Sequence, residues 1–401
     1  MRAFCFAFVA VMLFATSAAA GGSLRFFGTG ADDVDRVKIP IDPHNAADIG
    51  AGDFTIDFWL RASAADNNGT LTCNSVDGWI TGNVVIDRDI YGPGPDWGIA
   101  LGVRSGGGRR IAFGAADATG NGITLCGTSN VADGQWHHIA VQRRLSDGRI
   151  WLFVDGQLEA TALGPLGSLA YPDGRSTSWP NSDPYLVIGA EKHDAGSAYP
   201  SFSGWITELR LSTVLRYPTT TTLGPAFARP NRRHAVDAHT AALYRFQEGA
   251  GQTLYSAAGP KAAAGQVRFN ASQTRPQWSS EAPFGPAPSC LDLDDNGVVS
   301  AWSDGRLLLR ALFGLRGAAL TQDVLGESAQ RTDPQAIIDY LFAQPLDPNT
   351  GGPLRATRDG LWLYRVLAGR PDSELSGGLG AADLPSAADL RAFLARHCGL
   401  P

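Results

Sequence analysis

Lysine is almost missing from this chain of 401 residues: Lys38, Lys192 and Lys261 stand beside 30 arginines. The skew, with abundant alanine and glycine, fits a GC-rich bacterial genome and carries no message about function. Charge is sparse, at 18% of residues, and its balance of −6 argues against a general nucleic-acid-binding role. No apolar run reaches the ~20 residues that a membrane helix needs. His-Glu-x-x-His and Gly-x-Ser-x-Gly are both absent, which removes the compact signatures of zinc proteases and serine hydrolases. What is present is a globular composition, 44% hydrophobic, with 48 glycines and 24 prolines. That many turn formers without a repeat favours a β-rich body of short strands. The length suits two or three domains.

The first residues read as an export signal. Arg2 precedes the apolar run from Ala3 to Thr16, and Ala18 and Ala20 give a small-x-small cleavage pattern. Residues 1–20 are therefore expected to be removed, giving a bacterial protein that is secreted, periplasmic or held at the cell surface. Cys5 leaves with that segment, and an even number of exported cysteines predicts disulfides. The four that remain allow three pairings. The proline-rich stretch between them favours Cys73–Cys126 and Cys290–Cys398.

That stretch, 281–289, holds three prolines in nine residues and is read as a linker. Before it, over 21–280, the pattern is of strands. Phe54, Ile56, Phe58 and Leu60 alternate with Thr55, Asp57 and Trp59, the period of a half-buried strand. Residues 149–154 and 157–161 flank Asp155-Gly156, a hairpin turn. Further strands are expected at 98–104, 109–114, 136–143, 185–189, 205–212 and 241–247.

Several segments here occur in the order seen in LamG-like domains of the concanavalin A-like lectin/glucanase superfamily. They are Ser23-Leu-Arg-Phe, Gly50-Ala-Gly-Asp-Phe-Thr-Ile-Asp-Phe-Trp59, Gly134-Gln-Trp-His-His-Ile-Ala140, Leu152-Phe-Val-Asp-Gly156 and Gly204-Trp-Ile-Thr-Glu-Leu-Arg210. Phe246-Gln-Glu-Gly-Ala-Gly251 resembles that family's strand and turn. The resemblance implies an antiparallel jelly-roll sandwich and a choice between lectin and hydrolase. Glucanases of the superfamily place carboxylates two residues apart, as Glu-x-Asp-x-Glu, so that they share one strand face. No such motif is present. Glu208 stands alone, and Asp53 and Asp57 are four apart and read as turn and strand residues. His137 and His138 alternate in and out at a strand start. His234 and His239 fall in a polar loop and are expected to be exposed. The reading is a non-catalytic binding or adhesion protein whose partner is a glycan or an extracellular protein. The alternative is a divergent polysaccharide hydrolase or lyase. Tyr91 and Trp97, in a Gly/Pro-rich loop, and Trp179 are the candidate aromatic platforms for a sugar ring; taken singly, each reads first as a ring that closes an end of the sandwich.

Residues 290–401 contain a repeat. Leu291–Gly314 aligns with Leu346–Gly369 without a gap at an offset of 55, and each copy runs from a loop into an apolar helix ending in glycine. Second helices are expected at 333–342 and 386–396. In the first loop Asp292, Asp294 and Asn296 occupy positions 1, 3 and 5, Gly297 the turn, and the Val298 carbonyl position 7. An oxygen set of this kind suits Ca²⁺ rather than Zn²⁺. Position 12 is Ser303, and the acid falls one residue later at Asp304. The second loop keeps Asp347, Asn349 and Asp359 but has Gly351, Pro348 and Pro353 where they disfavour an ion. The arrangement resembles dockerin-like and EF-hand-like repeats, which implies structural calcium and a cohesin-like partner; the divergence of the two loops favours a structural role over docking. Without an ion, the first loop reads as an Asx-rich turn capping a helix.

Overall fold

The computed structural model describes residues 22–398 except 93, 105–106, 250, 259–260, 271–274, 285–289, 297–298, 328, 330, 345, 347–353, 380–384 and the side chains of 343 and 395–397. The export signal, most of the 281–289 linker, Val298, Asp347 and Asn349 thus lie outside the described residues.

Among the described residues, seventeen strands follow in order: β1 (Ser23–Phe27), β2 (Arg36–Pro40), β3 (Phe54–Ser63), β4 (Asn83–Asp87), β5 (Asp96–Val103), β6 (Arg109–Ala116), β7 (Gly122–Cys126), β8 (Asp133–Arg143) and β9 (Arg149–Val154). Then come β10 (Gln157–Leu163), β11 (Tyr185–Ile188), β12 (Ser203–Ser212), β13 (Gly224–Pro225), β14 (Thr240–Tyr244), β15 (Thr253–Leu254), β16 (Gly265–Arg268) and β17 (Gln277–Ser279). They form two antiparallel sheets. One runs β13-β10-β9-β8-β3-β12-β1-β17 with β14 also on β12; the other runs β15-β16-β2-β11-β4-β5-β6-β7. This is the sandwich that the alternating segments predicted. Asp155 and Gly156 both take positive φ, 50° and 80°, the two-residue turn whose twist suits the β9–β10 hairpin.

The core lies between the sheets. Phe54, Ile56, Phe58 and Leu60 of β3 are fully buried there, packed with inward residues of the facing sheet such as Ile99, Leu101 and Phe113. Both outer faces are covered as well. On the second sheet, Trp79 lies so close to Gly98 and Gly114 that a Cβ at either would meet the indole at 2.2 and 1.8 Å. The Cys73–Cys126 disulfide ties that segment to β7. On the nine-stranded sheet, the excursion 213–239 lays Leu215, Tyr217, Ala226 and Phe227 over Ala140, Trp151, Phe153 and Leu158. Polar groups lock it down: Thr55 Oγ1 donates to the Val214 carbonyl, and Trp151 Nε1 donates to that of Thr220, at 2.7 and 2.8 Å.

After the sandwich come α1 (Arg306–Leu312), α2 (Ala318–Thr321), α3 (Pro334–Ala343), α4 (Leu361–Leu367), α5 (Asp372–Leu375) and α6 (Ala387–Cys398). Their apolar faces share a separate core with Leu291, Leu293, Trp362 and Leu363. Cys290 and Cys398 are joined, so both ends of this region meet. The offset of 55 survives bond by bond. Arg310 Nη1 donates to the carbonyls of Ala319, Leu320 and Gln322, and Arg365 Nη1 to those of Glu374, Leu375 and Gly377.

Candidate functional site

Three segments converge at one rim of the second sheet: the loop from β4 to β5, the stretch 169–184 and the turn after β11. Asp183 holds them together. Its buried carboxylate accepts from the Tyr91 N–H, the Tyr171 hydroxyl, Arg175 Nη1 and His193 Nε2, at 2.7 to 2.9 Å. Burial works against that charge, but the His193, Tyr91 and Tyr171 bonds hold Asp183 well below the usual carboxylate range. Burial also works against the His193 imidazolium. Asp183, Asp89 and Glu191 override it and raise His193 to about 11. Glu191 lies 3.3 Å and Asp89 3.6 Å from His193 Nδ1. Lys192 Nζ donates to the Asp183 carbonyl at 2.7 Å, and its N–H donates to Asp87 at 2.9 Å.

On this charged base stand two rings that face solvent. Tyr91 is 49% exposed and Trp179 36%, with centroids 5.8 Å apart and the His193 ring within 6.0 Å of both. Each ring is on its own loop: the Tyr91 N–H donates to Asp183, and the Trp179 carbonyl accepts the Ser182 and Asp183 N–H groups. Trp97, grouped with them from the sequence, is not a platform. It is fully buried between Phe54 and Phe113, at 6.3 and 6.4 Å. The reason is register: β5 begins at Asp96, and Trp97, Ile99 and Leu101 are its inward set.

The carboxylates weighed for catalysis are engaged. Under the 213–239 excursion, Asp57 accepts from Arg210 Nε and Nη2 at 3.0 and 2.6 Å and from the Tyr217 hydroxyl. Burial opposes its charge, and His234, His138 and Arg210 together hold it well below the usual range. His138 and His234 bring Nε2 to 3.8 and 3.6 Å from Asp57 Oδ2. His234 is therefore buried rather than exposed; the polar residues around it in sequence hid that its ring faces the sheet. Burial pushes it down to about 4, so it is a neutral imidazole. Glu208 is also buried, at a bulge in β12, and accepts from Arg233 Nη1 and Arg245 Nη1 at 2.9 and 3.1 Å. Asp53 accepts the Leu145 N–H at 2.8 Å, a long-range bond to the loop between β8 and β9.

Beside the excursion lies a cleft of about 660 Å³ that the sequence did not signal, lined by Trp59, Trp136, Phe284, His137, Arg229 and Asn231. The Arg229 guanidinium sits 4.8 Å from the Trp59 ring centroid, and its Nε is 3.0 Å from Asp155. Phe284 meets Trp59 edge-on at 4.9 Å.

In the C-terminal region, Asp292, Asp294 and Asp304 are buried, with ligand oxygens within 4.8 Å of one another. The Asn296 N–H donates to Asp292 Oδ1 at 3.1 Å, and the Leu293 and Ser300 N–H groups donate to Asp304 at 2.7 and 2.9 Å. Asn296 Nδ2 donates to the Glu327 carbonyl at 3.2 Å. In the second repeat the described acid, Asp359, is buried and paired with Arg358.

Two antiparallel sheets closed over one core, with a helical region after them, define the class: an antiparallel β-sandwich. Residues 35–219 match the family model described as the concanavalin A-like lectin/glucanases superfamily, of laminin G type. A search of the curated proteins finds no match. Among solved structures, the chain is similar to a candidate carbohydrate-binding protein from Bacteroides ovatus, at 14% identity and a TM-score of 0.37, covering 66% of this chain and 62% of that one. It is also similar to a heptameric SAP-like pentraxin from Limulus polyphemus, at 14% identity and 0.31, covering 50% and 79%. For domains LG4–5 of the mouse laminin alpha1 chain the values are 13% and 0.31, covering 53% and 47%.

Proposed function

We propose that this is an exported, non-catalytic binding protein that takes a glycan on the Tyr91–Trp179 platform. One observation carries the reading: two solvent-facing aromatic rings 5.8 Å apart stand on a buried ionic network that fixes their loops. An aromatic face stacks on the apolar face of a sugar ring, and a preorganised pair limits the entropy lost on binding. Asp89 and Arg175 nearby, with side chains 17% and 18% exposed, supply the polar contacts that orient hydroxyls. The hydrolase alternative has less to stand on. Asp57 and Glu208 are each committed to arginines, so neither is placed to act as acid or nucleophile. The first C-terminal loop is read as a structural calcium site, through Asp292, Asp294 and Asp304.

The test is a panel of immobilised polysaccharides, scored for retention and for released reducing ends. Retention without release is expected, lost in Tyr91→Ala and Trp179→Ala. Release of reducing ends by the purified protein would overturn the reading, as would retention unchanged in both variants.

A further inference from the structure

The two repeats meet the same electrostatic problem, and their structures answer it differently. Each begins its main helix with a π-helical turn, Ala301–Gly305 and Ala356–Gly360, and each turn carries a buried aspartate at the matching place. Asp304 accepts the Ser300 N–H at 2.9 Å. Asp359 accepts the N–H of Arg355, the same position 55 residues on, at 2.8 Å. The residue before the aspartate then differs. In the first repeat it is Ser303, whose hydroxyl donates to Asp304 at 2.8 Å. In the second it is Arg358, which donates from Nε and Nη2 to Asp359 at 2.7 and 3.1 Å.

The first repeat therefore gathers three buried carboxylates, and among the described residues no arginine or lysine pairs with Asp304. Arg331, the cation nearby, donates to the carbonyls of Asp292 and Leu293. Asp294 Oδ1 is buried with no hydrogen-bond partner. A buried anionic oxygen left unpaired is costly, and a hard cation is the group that such an oxygen set accepts. Gly326 closes over the cluster. Its N–H donates to Asp294 at 2.5 Å, and a Cβ there would meet Asp294 and Asn296 at 2.9 and 2.2 Å.

We infer that this region takes a single calcium ion, in the first repeat, and that the Arg358 guanidinium occupies the cation's place in the second. The inference rests on the calcium reading of the first loop and adds the number of ions and the residue that sets it. A two-pronged guanidinium matches a carboxylate and keeps its charge at every working pH. Asp359 thus needs no cation from solution.

The experiment uses the full chain with its disulfides formed. Equilibrium dialysis with radioactive calcium is expected to give one ion per chain, and none in Asp292→Ala. Calcium should raise the melting midpoint of the wild type by roughly 10 °C over chelator, for saturation about 100-fold above Kd. Arg358→Met is expected to melt lower in calcium and chelator alike, still binding one ion. Ser303→Arg, checked for native circular dichroism, should melt identically with and without calcium. Two bound ions, or Arg358→Met melting like the wild type, overturns the inference alone. No bound ion, with no shift between calcium and chelator, overturns the calcium reading together with it.

Discussion

Arg210 grips Asp57 through both Nε and Nη2, at 3.0 and 2.6 Å, where β12 and β3 pair beneath the 213–239 excursion. Both side chains are out of solvent, so each needs the other. Removing one partner of such a pair costs about 3–5 kcal/mol, mostly because the survivor is left buried and uncompensated. Asp57→Asn is expected to lose that much in urea unfolding. Asp57→Asn combined with Arg210→Met should recover part of it, and a single-variant loss below about 1 kcal/mol would contradict the assignment.

His234 makes acid stability a second test. Its unfolded value is ordinary, about 6.5, and its folded value is about 4 because burial penalises the imidazolium. The fold therefore prefers the neutral form. Stability from this residue is complete above about pH 6.5 and falls as the pH drops toward 4, by roughly 3 kcal/mol in all. His193, raised to about 11, does not interfere: its contribution fades only as pH rises from about 6.5 toward 11. Buried Asp87, Asp96 and Glu248, raised to about 7, 8 and 7, act the other way over the same range, so the comparison is between chains: as pH falls from about 6.5 to about 4.5, the urea midpoint of the wild type should lose ground to that of His234→Gln.

The three aromatic candidates separate by stability. Trp97→Ala leaves a hole between Phe54 and Phe113 and should cost about 3–5 kcal/mol. Tyr91→Ala and Trp179→Ala should stay within about 0.5 kcal/mol of the wild type, since backbone bonds to Asp183 and the arginine network hold the loops. Thermal unfolding of the three variants checks this directly.

The Cys290–Cys398 bridge closes 108 residues of chain. In the chain-entropy picture that is about 4–5 kcal/mol. The double serine variant should show a melting transition of the helical region well below that of the sandwich, whereas the wild type keeps the two closer. Calorimetry resolves the two transitions.

Much of the architecture could be read from the residues. Period-two alternation located β3, β8 and β12, because those strands bury one face against the core and present the other to a different environment. The repeat gave α1 and α4 because its apolar spacing is helical in both copies. Strand β4 escaped: Asn83-Val-Val-Ile-Asp87 is buried on both faces and shows no alternation. The site was legible only in part. Tyr91 and Trp179 stood out as rings among turn formers, but β5 begins two residues earlier than expected, and that sent Trp97 inward. His193, Asp183 and Arg175 carried no signal, since their meaning lies in contacts across separate loops. His234 looked polar and exposed for the same reason.

The cover formed by 213–239 has one more implication. Tyr217 and Phe227 stack at 4.0 Å and, with Leu215, roof the middle of the nine-stranded sheet. A long unbranched polymer lying across the strands finds no open furrow there. On the proposed reading the ligand is met at the rim instead, by two rings 5.8 Å apart, a small footprint. Small footprints of that kind gain strength by avidity, when several copies engage one surface at once.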